Sequence, residues 1–128
     1  GIRDIGVTGV QTCALPISAH DWAEISPWMF ACVIDAPRLG VDRDTLAAGL
    51  LARGIETRPM FVPLHTLPPY RHLAHRTPPL PVTDHLGEHG IMLPTFTTLT
   101  DSQIDRICAT IESISAAARR TEPVRHAA

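Results

Sequence analysis

Proline is concentrated in one stretch of this chain, and that stretch limits the possible fold more than any other feature. Between Pro59 and Pro81 there are seven prolines and three histidines. Each proline fixes φ and lacks a backbone N–H, so neither an α-helix nor an inner strand can run through the stretch. A loop of this length in a compact domain is usually functional or disordered. Because it also carries the aromatic residues Phe61 and Tyr70, we predict an ordered, non-helical loop.

The residues before the loop have the pattern of a strand, a helix and a second strand. Apolar, β-branched and aromatic residues from 28 to 34 predict a buried strand. Asp42 is placed as the N-cap of a helix whose apolar residues recur at helical spacing up to residue 53, and Gly54 is placed to end it. Residues 55–58 predict the next strand. This β-α-β order favours a right-handed crossover and a parallel pair of strands.

The residues after the loop predict two helices and one more strand. Residues 82–89 have a short helical pattern, and residues 91–93 form a brief apolar run. Thr100 and Gln103 have the spacing of a capping box. The apolar stripe of the final helix consists of Ile104, Ile107, Cys108, Ile111 and Ile114. The predicted fold class is α/β, a two-layer small domain with a short sheet and helices packed on one face.

The two ends of the chain differ from its centre. Residues 7–17 (VTGVQTCALPI) resemble a translated short-read sequencing adapter, so we interpret residues 1–18 as a non-native leader. The alternative is a genuine β-strand and loop. From residue 117 to residue 128 we expect a disordered tail, because the helical pattern is lost. The predicted domain therefore covers residues 19–116.

Composition and spacing exclude several classes of function. The formal net charge of -2 gives no electrostatic reason to expect a nucleic-acid or membrane partner. No apolar run approaches the length of a membrane span, and the three cysteines have no CxxC spacing, so we expect a cytoplasmic protein. The pairs His72 with His75 and His85 with His89 could suggest metal ligation, but no third ligand lies nearby in sequence. We expect no metal site.

All eleven basic residues are arginine, and the chain contains no lysine. Chemistry that needs a lysine amine therefore lies beyond this chain alone.

Four residues of the loop region are candidates for substrate binding: Arg58, Phe61, His65 and Tyr70. The Arg58 guanidinium can bind a carboxylate or phosphate, and His65 and Tyr70 can hydrogen-bond sugar hydroxyls. Each has a simpler alternative. Arg58 could pair with Glu56 or with an acidic residue of a helix, and His65 could satisfy backbone groups of the loop. The Tyr70 ring could only pack while its hydroxyl caps a backbone carbonyl, and Phe61 could be a packing residue that also touches the ligand.

Residues 54–70, GIETRPMFVPLHTLPPY, resemble the small-domain signature of the DegT/DnrJ/StrS aminotransferases. Four flanking blocks agree in order and spacing: SPWMF at 26–30, VDRD at 41–44, GIMLP at 90–94 and LTDSQI at 99–104. The resemblance covers residues from about 20 to 116, the C-terminal part of such an enzyme. It implies the small domain of a fold-type I aminotransferase that depends on pyridoxal phosphate.

The resemblance implies transfer of an amino group from an amino acid, glutamate in the family, to a nucleotide-linked keto sugar. In the family the lysine that binds the cofactor lies in the large domain, so we expect no catalytic or cofactor-binding residue here and no pyridoxal phosphate bound to this chain alone. The complete enzyme would be a homodimer. The alternatives are a non-catalytic ligand-binding or regulatory module on the same fold, and a family relative without transaminase chemistry.

Overall fold

The computed structural model describes residues 10–12, 28–76 and 78–121. Within these ranges, four strands and four α-helices follow one another. They are β1 (Val10–Thr12), β2 (Phe30–Ile34), α1 (Ala36–Leu39), α2 (Arg43–Leu51), β3 (Arg58–Pro59), α3 (Pro81–His89), β4 (Gly90–Leu93) and α4 (Asp101–Thr121). Two 3-10 helices, Leu64–Thr66 and Pro68–Arg76, lie between β3 and α3.

The strands form one sheet in the order β1-β2-β4-β3. β4 pairs antiparallel with β2 on one side, where Cys32 lies opposite Ile91, and antiparallel with β3 on the other. The predicted parallel pair was therefore wrong. β2 and β3 do run in the same direction, but β4 is inserted between them. A β-α-β pattern fixes the direction of its two strands and leaves room for a later strand to enter the gap.

The predicted helix after β2 is confirmed as α2, and its N-cap explains where it begins. The Asp42 carboxylate accepts a hydrogen bond from the Thr45 backbone N–H at 2.7 Å. On the inner side of α2, Leu46 and Leu50 are fully buried. Gly54 ends the turn after the helix with φ of 74°, a left-handed conformation that glycine adopts at little cost.

The final helix α4 has the predicted capping box. The Thr100 backbone N–H donates to Gln103 Oε1 at 2.9 Å, and the Gln103 N–H donates back to Thr100 Oγ1 at 3.3 Å. The helix continues to Thr121, so the prediction of a tail from residue 117 was wrong for residues 117–121. Alanine and arginine are strong helix formers, and Arg119 Nη2 donates to the Arg38 carbonyl oxygen at 2.7 Å. Residues 122–128 lie outside the described residues.

The hydrophobic core lies between the sheet and the helices α2 and α4, and this confirms the α/β small-domain class. Its buried residues come from both layers: Cys32, Ile34, Leu39, Leu46, Leu50, Ile55, Ile91, Leu93, Ile107, Ile111 and Ile114. The buried Ser115 hydroxyl donates to the Leu39 carbonyl oxygen at 2.6 Å and links α4 to α1. In the described parts of the chain, no helix has the length and apolar character needed to cross a bilayer.

β1 falls within the predicted leader. It pairs antiparallel with β2, with Val10 opposite Ile34 and Thr12 opposite Cys32. The remaining leader residues lie outside the described part of the structure. The domain limits at residues 18 and 19, and the non-native origin of the leader, stay predictions.

Candidate functional site

The proline-rich segment comprises residues 59–81. Its described part, which leaves out residue 77, is ordered as predicted but is not free of helix. It contains the two 3-10 helices, the second of them nine residues long. Proline is compatible with this geometry because its fixed φ lies in the 3-10 range. The prediction of a wholly non-helical loop was therefore wrong in detail. The exclusion of an α-helix or an inner strand running through the stretch is confirmed for its described part, since β3 ends at Pro59 and α3 begins only at Pro81.

The segment is attached to α3 and the start of β4 by three successive contacts. The Met60 backbone N–H donates to the Gly90 carbonyl oxygen at 3.0 Å. Pro63 packs against Gly87, where a methyl group would lie 2.6 Å from Pro63 Cδ. These contacts make the segment run back along α3 toward the beginning of that helix. The third contact, one helical turn before Gly87, involves a predicted site residue.

His65 makes this third contact. Its Nε2 lies 2.7 Å from Asp84 Oδ1, and the two side chains are 25% and 50% exposed. The imidazole of His65 is thus held by a carboxylate on α3 rather than by backbone groups of its own loop, which was the simpler alternative. The ring remains partly open to solvent, and its Nδ1 has no hydrogen-bond partner among the residues that the structure describes.

Phe61 and Tyr70 are more exposed than His65. Phe61 is 66% exposed and Tyr70 is 45% exposed, so neither ring is used to fill the core. Leu64, beside His65, is also exposed. An attached segment that presents two aromatic rings and an imidazole to solvent has the features of a binding surface, because little conformational entropy remains to be lost on binding.

Arg58 is placed differently from the other three candidates. It lies on β3 and lines an open cleft of about 540 Å³, together with residues such as Trp28, Phe96 and Arg106. Phe61, His65 and Tyr70 do not line this cleft. The predicted alternative of an ion pair with Glu56 is not formed, and within the described ranges Arg58 has no salt-bridge partner. Of the four candidates, only Arg58 lines this cleft, and Phe61, His65 and Tyr70 lie on the proline-rich segment.

Two residues that support His65 were missed by the sequence reasoning. Asp84 lies 19 positions from His65 in the sequence. Aspartate is common in the first turn of a helix for electrostatic reasons alone, so the local pattern does not show that Asp84 pairs with a distant histidine. Gly87 did give a signal, because a glycine inside a helical pattern often marks a close approach. Arg43 Nη1 donates to the Gly87 carbonyl oxygen at 2.9 Å and fixes this turn of α3 against α2.

Among the residues that the structure describes, the other histidines and cysteines show no arrangement for metal or nucleophilic chemistry. The rings of His85 and His89 lie 4.6 Å apart between centroids. Among the described residues, no group of three His, Cys, Asp or Glu side chains is placed to hold a metal ion. Partial burial raises the pKa of the Cys108 thiol, and the nearby Asp105 and Glu112 carboxylates raise it further. A raised pKa disfavours the reactive thiolate.

The fold and the attached segment define a small α/β domain of the kind found in fold-type I aminotransferases. The sequence model of the DegT/DnrJ/EryC1/StrS aminotransferase family matches residues 7–112, and the chain belongs to this family. The resemblance seen in the sequence is thereby confirmed. The match begins within the predicted leader and includes β1.

Two similar proteins are GDP-perosamine synthases. The one from Caulobacter vibrioides is 39% identical over 87 residues, which cover 68% of this chain and 23% of that protein. The one from Vibrio cholerae is 35% identical over 115 residues, which cover 87% of this chain and 31% of that protein. The chain thus spans 23% and 31% of the lengths of these two relatives.

Two solved structures share the fold. The structure of DesI with its TDP-sugar product superposes with a TM-score of 0.62 at 31% identity, over 73% of this chain and 25% of that one. DesV from S. venezuelae, in complex with a ketimine intermediate, gives a TM-score of 0.60 at 28% identity, over 86% of this chain and 27% of that one.

The family implies pyridoxal phosphate, and the residues present here do not fit its covalent attachment. That attachment needs a lysine amine, and every basic residue of this chain is arginine. Any lysine that binds the cofactor must come from outside these 128 residues.

Proposed function

We propose that this chain is the C-terminal small domain of an aminotransferase dependent on pyridoxal phosphate. The complete enzyme moves an amino group from an amino acid, glutamate in our proposal, to a nucleotide-linked keto sugar. It acts as a homodimer in the cytoplasm, and its large domain supplies the lysine and holds the cofactor. The small domain contributes a wall of the substrate site.

The observation that carries this proposal is the attachment of the proline-rich segment to α3. Contacts at Met60, Pro63 and His65 hold the segment in place. Phe61 and Tyr70, on either side of His65, remain exposed. In our proposal the imidazole and the phenol hydrogen-bond sugar hydroxyls, and Phe61 packs against an apolar face of the substrate.

The charge of the same region suits a nucleotide-linked substrate. From residue 57 to residue 83 there is no aspartate or glutamate, whereas the stretch contains Arg58, Arg71 and Arg76. The chain as a whole has a net charge of -2, so this positive region differs in sign from the rest. Guanidinium groups bind phosphate oxygens well, often with two hydrogen bonds. We assign Arg71 and Arg76 to the diphosphate side of the substrate, and Arg58 to a separate anionic group at the cleft.

The names of the relatives indicate which nucleotide to test first. Two relatives are GDP-perosamine synthases, and a structural neighbour is described with a TDP-sugar product. A GDP-linked keto sugar is therefore our first candidate, with a TDP-linked one as the comparison.

The experiment is an amino-transfer assay on the longer polypeptide that contains this segment. With pyridoxal phosphate, glutamate and a GDP-linked keto sugar, we expect formation of a GDP-amino sugar and 2-oxoglutarate in equal amounts. A variant with His65→Ala should raise KM for the sugar nucleotide more than it changes KM for glutamate. Absence of amino transfer with every nucleotide-linked keto sugar would overturn the proposal.

The alternative is a ligand-binding module that works without chemistry. A self-contained core between the sheet, α2 and α4 favours it, because such a domain can fold without a second one. The two functions differ in affinity. A wall of a larger site should bind a nucleotide sugar weakly by itself, with Kd on the order of 1 mM, whereas a module should bind with Kd on the order of 1 μM.

A further inference from the structure

We propose that Asp84 is a positioning residue for His65: it fixes the imidazole so that Nδ1 accepts a hydrogen bond from a hydroxyl group of the sugar. The hydroxyl ligand rests on the proposed function, whereas the hold of Asp84 on His65 does not. Asp84 lies on α3, outside the proline-rich segment that carries Phe61, His65 and Tyr70.

The contact between the two side chains determines which ring nitrogen carries the proton. His65 Nε2 lies 2.7 Å from Asp84 Oδ1. A carboxylate accepts hydrogen bonds and does not donate them, so Nε2 must be the protonated nitrogen. In the neutral imidazole Nδ1 then has the lone pair and can only accept. A sugar hydroxyl is a suitable donor for it.

Neighbouring contacts hold both partners of the pair. Pro63, two residues before His65, is in contact with Gly87, and the Thr66 hydroxyl donates to the Pro63 carbonyl oxygen at 2.7 Å. Asp84 is held in the first turn of α3, where its N–H donates to the Leu80 carbonyl oxygen at 3.0 Å. Both partners are thus attached to defined backbone, and the short distance between them fixes the ring orientation.

Asp84 also has a possible purely structural role. A carboxylate in the first turn of a helix is stabilised by the helix dipole, and its loss would weaken α3 without any effect on a ligand. The two roles differ in one observable, because the helix dipole does not determine the tautomer of His65. The test must therefore measure the protonation site of the ring directly.

The test uses the full chain labelled with nitrogen-15, and it compares the wild type with Asp84→Asn. The asparagine has nearly the same shape, but its amide can both donate and accept, so it permits either tautomer. Long-range proton–nitrogen spectra at a pH where the histidines are neutral should show His65 with the proton on Nε2 alone in the wild type. The variant should show a mixture of the two tautomers. Glu88→Gln, an exposed acid on the same helix, is the matched control and should leave His65 unchanged.

Binding of GDP-mannose to the same proteins, measured by chemical-shift titration, tests the ligand part. We expect Asp84→Asn to weaken binding about three- to tenfold, as for the loss of one well-oriented hydrogen bond, and Glu88→Gln to leave it unchanged. An unchanged tautomer in Asp84→Asn would overturn the hold of Asp84 on His65. A changed tautomer with unchanged affinity would overturn its role toward the ligand.

The same two measurements separate this inference from the proposed function. If the wild type gives no shifts with GDP-mannose or with other nucleotide hexoses, the sugar-binding role is overturned. The tautomer spectra of the wild type and of Asp84→Asn then still decide whether Asp84 determines the state of His65. A mixed tautomer in the wild type overturns the inference even if the sugar nucleotide binds.

Discussion

Pro63 and Gly87 pack so closely that no side chain larger than hydrogen fits at position 87. A methyl group there would lie 2.6 Å from Pro63 Cδ and 2.7 Å from Pro63 Cγ. This contact is what attaches the proline-rich segment to α3 just before His65. The position of the imidazole therefore depends on a glycine in a neighbouring helix.

The first prediction concerns this contact. Gly87→Ala should normally stabilise a helix by about 0.5–1 kcal/mol. Here the clash with Pro63 should cost about 1–3 kcal/mol, so we expect a net loss in the free energy of unfolding, measured in urea. In a Pro63→Ala background the same change should become neutral or stabilising. Stabilisation by Gly87→Ala with Pro63 in place would show that the contact is absent.

The second prediction tests the core between α2 and the sheet. Leu46 is fully buried, whereas Leu51 on the same helix is 64% exposed. We expect Leu46→Ala to lower the free energy of unfolding by about 2–5 kcal/mol. The matched change Leu51→Ala should alter it by no more than about 0.5 kcal/mol. Similar losses for the two leucines would contradict the orientation of α2.

The third prediction concerns acid stability at the start of α2. The Thr45 backbone N–H, followed by the Thr45 hydroxyl, holds the pKa of Asp42 below its ordinary value of 3.8. The folded protein therefore favours the charged form. The contribution of the cap is fully present above pH 3.8 and is lost as the pH falls through the lower pKa of the folded state.

Two variants separate the stability that comes from helix capping by Asp42 from the stability that depends on the charge of its carboxylate. Asp42→Asn keeps an oxygen that can cap the helix, so it should remain stable at neutral pH but lose less stability on acidification than the wild type. Asp42→Ala should lose about 0.5–2 kcal/mol at neutral pH. Urea unfolding at a series of pH values measures both effects. An identical acid slope in Asp42→Asn and the wild type would refute the role of the Asp42 charge.

The fourth prediction concerns the positive charge of the proline-rich segment. Arg71 Nε donates to the Thr66 carbonyl oxygen at 3.2 Å, which holds this guanidinium near the 3-10 helix that carries His65. We expect the double variant Arg71→Gln, Arg76→Gln to bind GDP-mannose about three- to tenfold more weakly than the wild type. Added salt should weaken this binding less in the double variant than in the wild type. Arg38→Gln, at an exposed arginine on α1, is the control. Equal affinities in the double variant and the control would contradict the assignment.

The sequence was most informative where structure depends on near neighbours. The capping box at Thr100 and the N-cap at Asp42 involve residues three positions apart, so both were predicted and both are confirmed. The end of α4 was misplaced because the arginines of its last turn have no apolar pattern. One of them, Arg119, bonds to a carbonyl oxygen 81 residues away.

Long-range pairing accounts for the other differences between prediction and structure. The insertion of β4 between β2 and β3 is decided by packing of the whole sheet, and a local β-α-β pattern does not contain that information. The pairing of His65 with Asp84 is of the same kind, since it needs the proline-rich segment to run back along α3. The motif predicted that His65 belongs to the site, and this assignment stays a proposal.

The most direct measurement of the central claim is a proton–nitrogen correlation titration of the full chain with GDP-mannose. We predict shifts that are centred on the proline-rich segment from Phe61 to Arg76, with Kd on the order of 1 mM. Shifts centred instead on the cleft beside Trp28 and Phe96, or no shifts in the proline-rich segment at saturating ligand, would contradict the account.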